Sequence, residues 1–451
     1  MMCMSFYLSD VTIMLKTMTH NRISPKRMLP FMLAAALCFL SLQAYADSWI
    51  ETDEGWKFRY DDGHFETGGW TWIDGDRDCQ AECYYFAENG IMASGTTTPD
   101  GYKVNETGAW VEGGRVQKKD TEAAIAVSGD NLIHQQLIDH GLALGNFDFL
   151  YSPELSNELR SADLAVLSQE TIFTDKPDEY NGYPDFGTPL AVGESALRAG
   201  FGMAACATNH ALDKGMRGIN ATAAFYEARG IPYIGIQPSS RPGYEPFRVL
   251  TVNGVRLALL NYTFGTNGIR IPRSFPYAVH LLNDPESVRR DIAAAKSTAD
   301  AVLVFAHWGT EFSPDIDGLQ QSWTNVFLES GVDVVIGTHP HVLQPMELLD
   351  RGDGHRMLVY YSLGNLVSAQ NWAPASIGGL AEFTITRTPD GCRITDHKLK
   401  PVVTHQTDTW SAAIPLENYT DELAAAHRMH LTVAQWQELF DTWTKGSAAA
   451  E

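Results

Sequence analysis

Basic residues are scarce. Lysine and arginine together number 33 against 55 aspartates and glutamates in 451 residues, a formal net charge of -22. With no Lys/Arg cluster downstream of residue 46 to form a basic groove, such a chain repels a phosphate backbone, and nucleic acid is not expected as a partner. Cysteine is sparse too: of six, Cys3 and Cys38 fall in a segment expected to be removed. Cys79 and Cys83 lie close enough to pair in an exported protein, or to share a metal, but no second Cys or His pair at zinc-finger spacing accompanies them. Cys206 and Cys392 stand in apolar or strand-like surroundings and are expected to stay unpaired. The apolar stretch from Met28 to Leu42 is short for a membrane span. It follows Lys26 and Arg27 and precedes Ala44 and Ala46 around Tyr45, the pattern of a secretory signal peptide cleaved after Ala46, or of an anchor if left uncleaved. Leu37 before Cys38 fits a lipoprotein cleavage site poorly.

Apolar residues are plentiful, 44% with 11% aromatic, which fills a substantial core and suits two domains or more. Between residues 49 and about 113, however, aliphatics give way to Trp, Tyr, Gly and Asp. Three fragments there look alike: GWKFRYDDGHFETGG from Gly55, ECYYFAENGIMASG from Glu82 and DGYKVNETGAWVEG from Asp100. Each reads as an aromatic strand, a turn closed by Gly63, Gly90 or Gly108, and a second short strand, hence a small hairpin that must stack on its neighbours. The stretch resembles cell-wall-binding, or choline-binding, repeats. That resemblance implies a cell-wall polymer as partner, with Trp56, Trp70, Trp72, Tyr84, Tyr85 and Trp110 as cage residues for a wall ligand. The same rings would equally serve as hairpin core.

After the polar, glycine-rich GGRVQKKDTEA comes an alternation of apolar strands and helical stretches that runs to about residue 400, the mark of an α/β layered domain. The segments 249–264 and 380–397 read as antiparallel extensions, and ENYTDELAAAHRMHLTVAQWQELFDTW as a helical appendage. The expected organisation is a signal peptide over 1–46, hairpin repeats over 47–118, the α/β domain over 119–405 and the appendage over 406–451.

The strand ends carry the chemistry. The run VDVVIG delivers His339 and His341 with only Pro340 between them. Other strands end in Gly129-Asp130 with His134 beyond, in Gln169-Glu170, in Thr208-Asn209-His210 with Asp213 beyond, and in His307-Trp308-Gly309 with Glu311 beyond. Taken singly, each is as easily a helix cap or a satisfied core histidine. Together they place carboxylate, amide and imidazole groups along the sheet edge where open α/β sheets bind ligands, the donor mixture that suits a first-row divalent metal.

The blocks GDNLIH, DLAVLSQE, ATNHALD, HWGTEF, GTHPHVLQP and YSLGN resemble the CapA/PgsA family of capsule and poly-γ-glutamate biosynthesis proteins, within the calcineurin-like metallophosphoesterase superfamily, over about 121 to 405. The resemblance implies a four-layer αββα metallophosphoesterase-like sandwich, preceded here by the small all-β hairpin module. It implies two divalent ions, Mn, Fe or Zn, held by Asp130, Glu170, Asn209, His307, His339 and His341, with His134 as a further candidate. It implies His210 and Asp130 as catalytic residues, with Trp308, Glu311, Ser362 and Asn365 on the substrate side. Trp308 or Tyr361 would wall the pocket. This chain departs from the pattern at Glu170, where the superfamily has an aspartate, at Ser168, where the family commonly has asparagine, and at His134, set further from its aspartate than in Asp-x-His.

The implied function is an exported, cell-wall-associated phosphoester hydrolase in capsule or envelope polymer biosynthesis. Two rivals remain at this stage. One is a non-catalytic scaffold beside membrane synthase subunits of a poly-γ-glutamate complex; the other is a wall-bound adhesin, which leaves the histidines unexplained.

Overall fold

The computed structural model describes residues 48–60 and 63–445. The signal-type segment 1–46 lies outside them. Two mixed sheets dominate. The larger, eight-stranded sheet runs in the order Tyr233–Ile234, Met203–Ala205, Leu164–Ser168, Glu122–Asn131, Ile377–Thr388, Gly391–Gln406 and Ser411–Pro415, with Asn365–Val367 also paired to Glu122–Asn131. The smaller runs Phe247–Val252, Val255–Thr263, Ala301–His307, Val334–Thr338, Arg356–Tyr360 and Met346–Asp350. Its four central strands are parallel and its two edges antiparallel.

The strands read as continuous apolar runs because both faces of each sheet are covered. Between the sheets, Ile125, Val127, Val166 and Phe383 pack against Leu257, Leu259, Leu303, Phe305 and Ile336. The alternate residues face outward. On the larger sheet Ala126, Leu167 and Leu380 meet Leu137, Leu155, Leu159 and Val192 from the helices Gln135–Leu144, Pro153–Ser161 and Leu190–Ala199. On the smaller sheet Ala258, Leu260, Val304 and Val359 meet Val288 and Ile292 of Pro285–Lys296 and Phe327 of Gly318–Ser330. The order of layers is therefore αββα, with each fully buried Leu, Val or Phe contributing about 1.5–3 kcal/mol. Both expected antiparallel pairs form. The larger sheet continues to Pro415, past its expected end at 405, and the helices Asp421–Ala426 and Val433–Trp443 pack on it through Trp436 and Phe440.

Near the N-terminus the glycine turns recur with one geometry. Gly63, Gly90 and Gly108 have φ of 91°, 77° and 88°, and each donates its N–H to the carbonyl three residues back, at Tyr60, Ala87 and Asn105. Only glycine adopts that backbone freely. By compactness, the described residues up to 69 together with 86–93 form one unit and the other described residues a second. Cys79 and Cys83 are both free. The chain from Cys79 into the strand Gln80–Phe86 is extended and holds their Cα atoms roughly 12 Å apart, beyond the reach of a disulfide. Cys206 and Cys392 are also free. No helix among the described residues is long and apolar enough to cross a membrane.

Candidate metal centre

Parallel strands in both sheets end on the same side. Asp130 closes Glu122–Asn131, Glu170 follows Leu164–Ser168, and Asn209 and His210 follow Met203–Ala205. From the smaller sheet His307 ends its own strand, while His339 and His341 follow Val334–Thr338. Close approach of the backbones depends on two glycines. A Cβ on Gly129 would lie 2.2 Å from the Gly364 carbonyl oxygen, and one on Gly337 would lie 1.9 Å from that of Tyr361. The turn bearing the histidine pair is strained as well: His339 and His341 have φ of 98° and 60°, a region non-glycine residues rarely occupy.

Asp130, Glu170, Asn209, His210, His307, His339 and His341 converge, all buried. Asp130 Oδ2 accepts the His339 N–H at 2.9 Å and lies 3.6 Å from His341 Nδ1; its Oδ1 accepts the Ser168 hydroxyl at 3.1 Å. Glu170 Oε1 stands 3.7 Å from His341 Nε2 and 3.9 Å from His307 Nε2. His307 is fixed between Thr338 Oγ1 and Asn209 Oδ1, each at 2.9 Å. His341 Nδ1 meets Asn365 Oδ1 at 3.0 Å, and His210 Nδ1 meets Asp213 Oδ2 at 2.7 Å.

The donor set fits a divalent cation. Both oxygens of the buried Glu170 carboxylate and Nδ1 of His339 have no hydrogen-bond partner, an expensive arrangement unless something outside the chain pairs with them. Donor atoms of Glu170, His339 and His341 come within 4.8 Å of one another. Burial, reinforced by the Asp130 charge, pushes Glu170 well above the usual carboxylate range. Burial alone would lower His341, but the Glu170 and Asp130 carboxylates outweigh it and hold it at about 9. His339 falls to about 3 and His307 well below its ordinary value, by burial and by neighbouring imidazoles. Glu170 and His341 are thus pushed toward keeping protons that a bound cation would displace, while His307 and His339 are pushed toward the neutral form that binds metal.

The remaining site candidates separate. His134 is half-buried at the start of Gln135–Leu144, its Nδ1 between the Leu132 carbonyl and the Ala369 N–H, both at 3.2 Å, and burial lowers it to about 4. Trp308 does not wall the pocket. It follows His307 onto the outer face of the smaller sheet, is fully buried, donates Nε1–H to the Tyr361 carbonyl and packs on Phe327. Tyr361 lies in the same outer core and bonds Glu347. Ser362 and Asn365 are buried and bonded within the chain: the Ser362 hydroxyl holds the Val342 carbonyl, and Asn365 braces His341 through both its ring and its backbone. Glu311 is exposed, with its charge felt by Glu170 and His341.

Sequence reasoning missed Asn267, whose Oδ1 accepts from Asn209 Nδ2 at 3.3 Å. It sits at φ 49° in a Thr-Asn-Gly turn, a signal present in the sequence but without a link to the site. Among the wall-ligand candidates, Trp70, Trp72, Tyr85 and Trp110 cluster, joined by the unforeseen Tyr102. The rings pack mostly edge to face, and Lys119 already occupies the face of Trp72 at 5.2 Å. Trp56 belongs to the other compact unit, where it is exposed.

Residues 124–370, more than half of the chain, match the family model described as "Bacterial capsule synthesis protein PGA_cap". The chain belongs to this family. Among curated relatives, the "PGA biosynthesis protein CapA" of Bacillus subtilis is 30% identical over 41% of this chain and 47% of its own length. The "Capsule biosynthesis protein CapA" of Bacillus anthracis is 28% identical over 42% of this chain and 46% of its own. The chain spans about half the length of these curated relatives. Among solved structures, the calcineurin-like phosphoesterase YfkN of Bacillus subtilis aligns over 72% of this chain and 98% of that one, with 12% identity and a TM-score of 0.37, too distant a likeness to carry an argument.

Proposed function

We propose that this PGA_cap protein acts in capsule synthesis as an exported, wall-associated enzyme that hydrolyses a phosphoester at a two-ion divalent metal centre. The observation that carries this reading is the buried Glu170 carboxylate with neither oxygen hydrogen-bonded, set among three imidazoles and a second carboxylate. Asp130, Glu170, Asn209, His307, His339 and His341 would hold the ions. When bound, divalent ions supply Lewis acidity that activates water and neutralises phosphoryl oxygens. The chain's own residues do the rest. Ser168 and the His339 N–H orient Asp130, Asn365 orients His341, and Asn267 orients Asn209. Asp213 fixes the His210 ring with Nδ1–H toward its carboxylate, which leaves Nε2 as the atom that passes a proton to the leaving oxygen. Export rests on the signal-type segment and wall association on the hairpin stretch.

Metal content by mass spectrometry, measured on the purified protein and on the His339→Ala/His341→Ala double variant, tests the reading when paired with phosphomonoester and phosphodiester hydrolysis. The expected result is close to two ions per chain, lost together with turnover in the variant. Absence of bound metal after supplementation with manganese, zinc and iron would overturn it. Metal without turnover would instead leave a non-catalytic partner of membrane synthase subunits.

A further inference from the structure

Beside the histidines of the metal centre stand aromatic rings that packing only partly covers, Trp372 for instance lying edge-on to Trp443 at 5.4 Å. Phe312 is 43% exposed, Trp372 41%, Phe264 37% and Tyr183 79%. All four are tied to the site's histidines. The Phe264 ring lies 4.5 Å from that of His339, and Phe312 lies 5.9 Å from His341 and 5.9 Å from Trp372. Tyr183 lies 6.5 Å from Phe186, which stacks edge-on to His210 at 4.7 Å. Four large, partly exposed rings, each in contact with a site histidine directly or through one further ring, are an apolar patch of the kind that marks a ligand surface.

Phe312 is the most telling. Its φ is 62°, a region that bulky side chains avoid, and its N–H is bonded at 2.8 Å to the carbonyl of Pro340, the residue between the two histidines. Glycine would serve this turn without strain, and a polar side chain would serve an exposed position without loss. A strained backbone that presents an exposed ring over the metal centre points to a contact with something outside the chain.

The arrangement discriminates between ligands. Phe312 and Trp372 meet edge to face at 83°, so their partly exposed faces stand at a right angle rather than as a pair of parallel walls. A planar base stacks best between or upon parallel faces, whereas a pyranose has a puckered surface of C–H patches fringed by hydroxyls, which suits a corner of two rings. The charge agrees. Exposed Glu311, whose charge reaches Glu170 and His341, offers carboxylate oxygens that could accept from sugar hydroxyls, and a net charge of -22 favours a neutral glycan over an acidic chain.

We propose that Phe312 and Trp372, flanked by Phe264 and Tyr183, form a saccharide subsite at the entrance to the metal centre, so that the substrate is a sugar phosphoester whose glycan rests on these rings. The substrate assignment rests on the phosphoesterase reading; the subsite does not. It is tested without turnover, by saturation-transfer NMR and tryptophan fluorescence of the full-length protein with cellotriose, chitotriose and maltotriose. Binding of at least one in the millimolar range is expected, weakened about tenfold or more by Trp372→Ala and by Phe312→Gly. Phe312→Gly suits the positive φ, so its melting temperature should be equal or higher, which separates loss of the ring from loss of the fold. No binding by any of the three, or equal binding by both variants, overturns the proposal. So does binding of adenosine monophosphate or geranyl phosphate at these rings with the sugars silent. Sugar binding in a protein that hydrolyses no phosphoester would keep the subsite and remove the enzymatic reading.

Discussion

Asn365 shows how a side chain braced against a candidate metal ligand can set a site's properties. Its Oδ1 fixes His341 Nδ1 at 3.0 Å, and its amide donates to the His341 and Ala375 carbonyls. Held this way, His341 has only Nε2 to offer, on the side of Glu170. Removing such a brace from a metal-binding imidazole typically weakens metal affinity 10- to 100-fold. Asn365→Ala is therefore expected to lower manganese or zinc affinity by about that factor while retaining the fold, as read by competition with a chelating dye. Unchanged affinity would show that the His339-Pro340-His341 turn orients its rings without help. The buried Ser362 makes a comparable contribution by tying the Val342 carbonyl beside the same turn.

The strand Val334–Thr338 and its partners meet at a distance that a single methyl group would spoil. A Cβ on Gly337 would stand 1.9 Å from the Tyr361 carbonyl oxygen and 2.5 Å from Trp308 Nε1, both parts of the packed outer layer. Neither neighbour is a flexible chain end, so the strand itself must move. Gly337→Ala is expected to destabilise the protein by about 2 kcal/mol or more, with loss of metal binding because the two histidines are carried on the displaced strand. Thermal unfolding and metal content measured together check this. A stable variant that still binds metal would mean that the sheet yields more readily than its packing indicates. Between Tyr360 and Asn365 the chain passes from the smaller sheet to the larger, so this element joins the two layers that supply the ligands.

The C-terminal helices are bound to the larger sheet by a buried histidine as well as by apolar packing. His427 Nε2–H donates to the Thr404 carbonyl at 3.1 Å, and its Nδ1 accepts the Met429 N–H at 3.0 Å. Burial lowers it to about 4. Because protonation is harder in the folded than in the unfolded chain, its contribution is complete above the unfolded value near 6.5 and is lost as the pH falls from there toward 4. The wild type should lose on the order of 2 kcal/mol of stability relative to His427→Gln between pH 7 and pH 5, measured by denaturant unfolding at each pH. Parallel pH profiles would show that this residue does not titrate across the transition.

Much of this molecule was legible in its sequence. Because the central strands are buried on both faces, they spell apolar runs, and because parallel strands point the same way, the residues after each run fall along one edge. Asp130, Glu170, Asn209, His307, His339 and His341 could be gathered without coordinates for that reason. Strand alternation and loop return were not legible. Trp308 and Phe312 stand four residues apart after the same strand, yet one is sealed beneath the smaller sheet by the alternation of side chains and the other is carried back over His341 by its bond to Pro340. The sequence determined which chemical groups reach the centre; only the packing of two sheets against each other decided which of their neighbours face it.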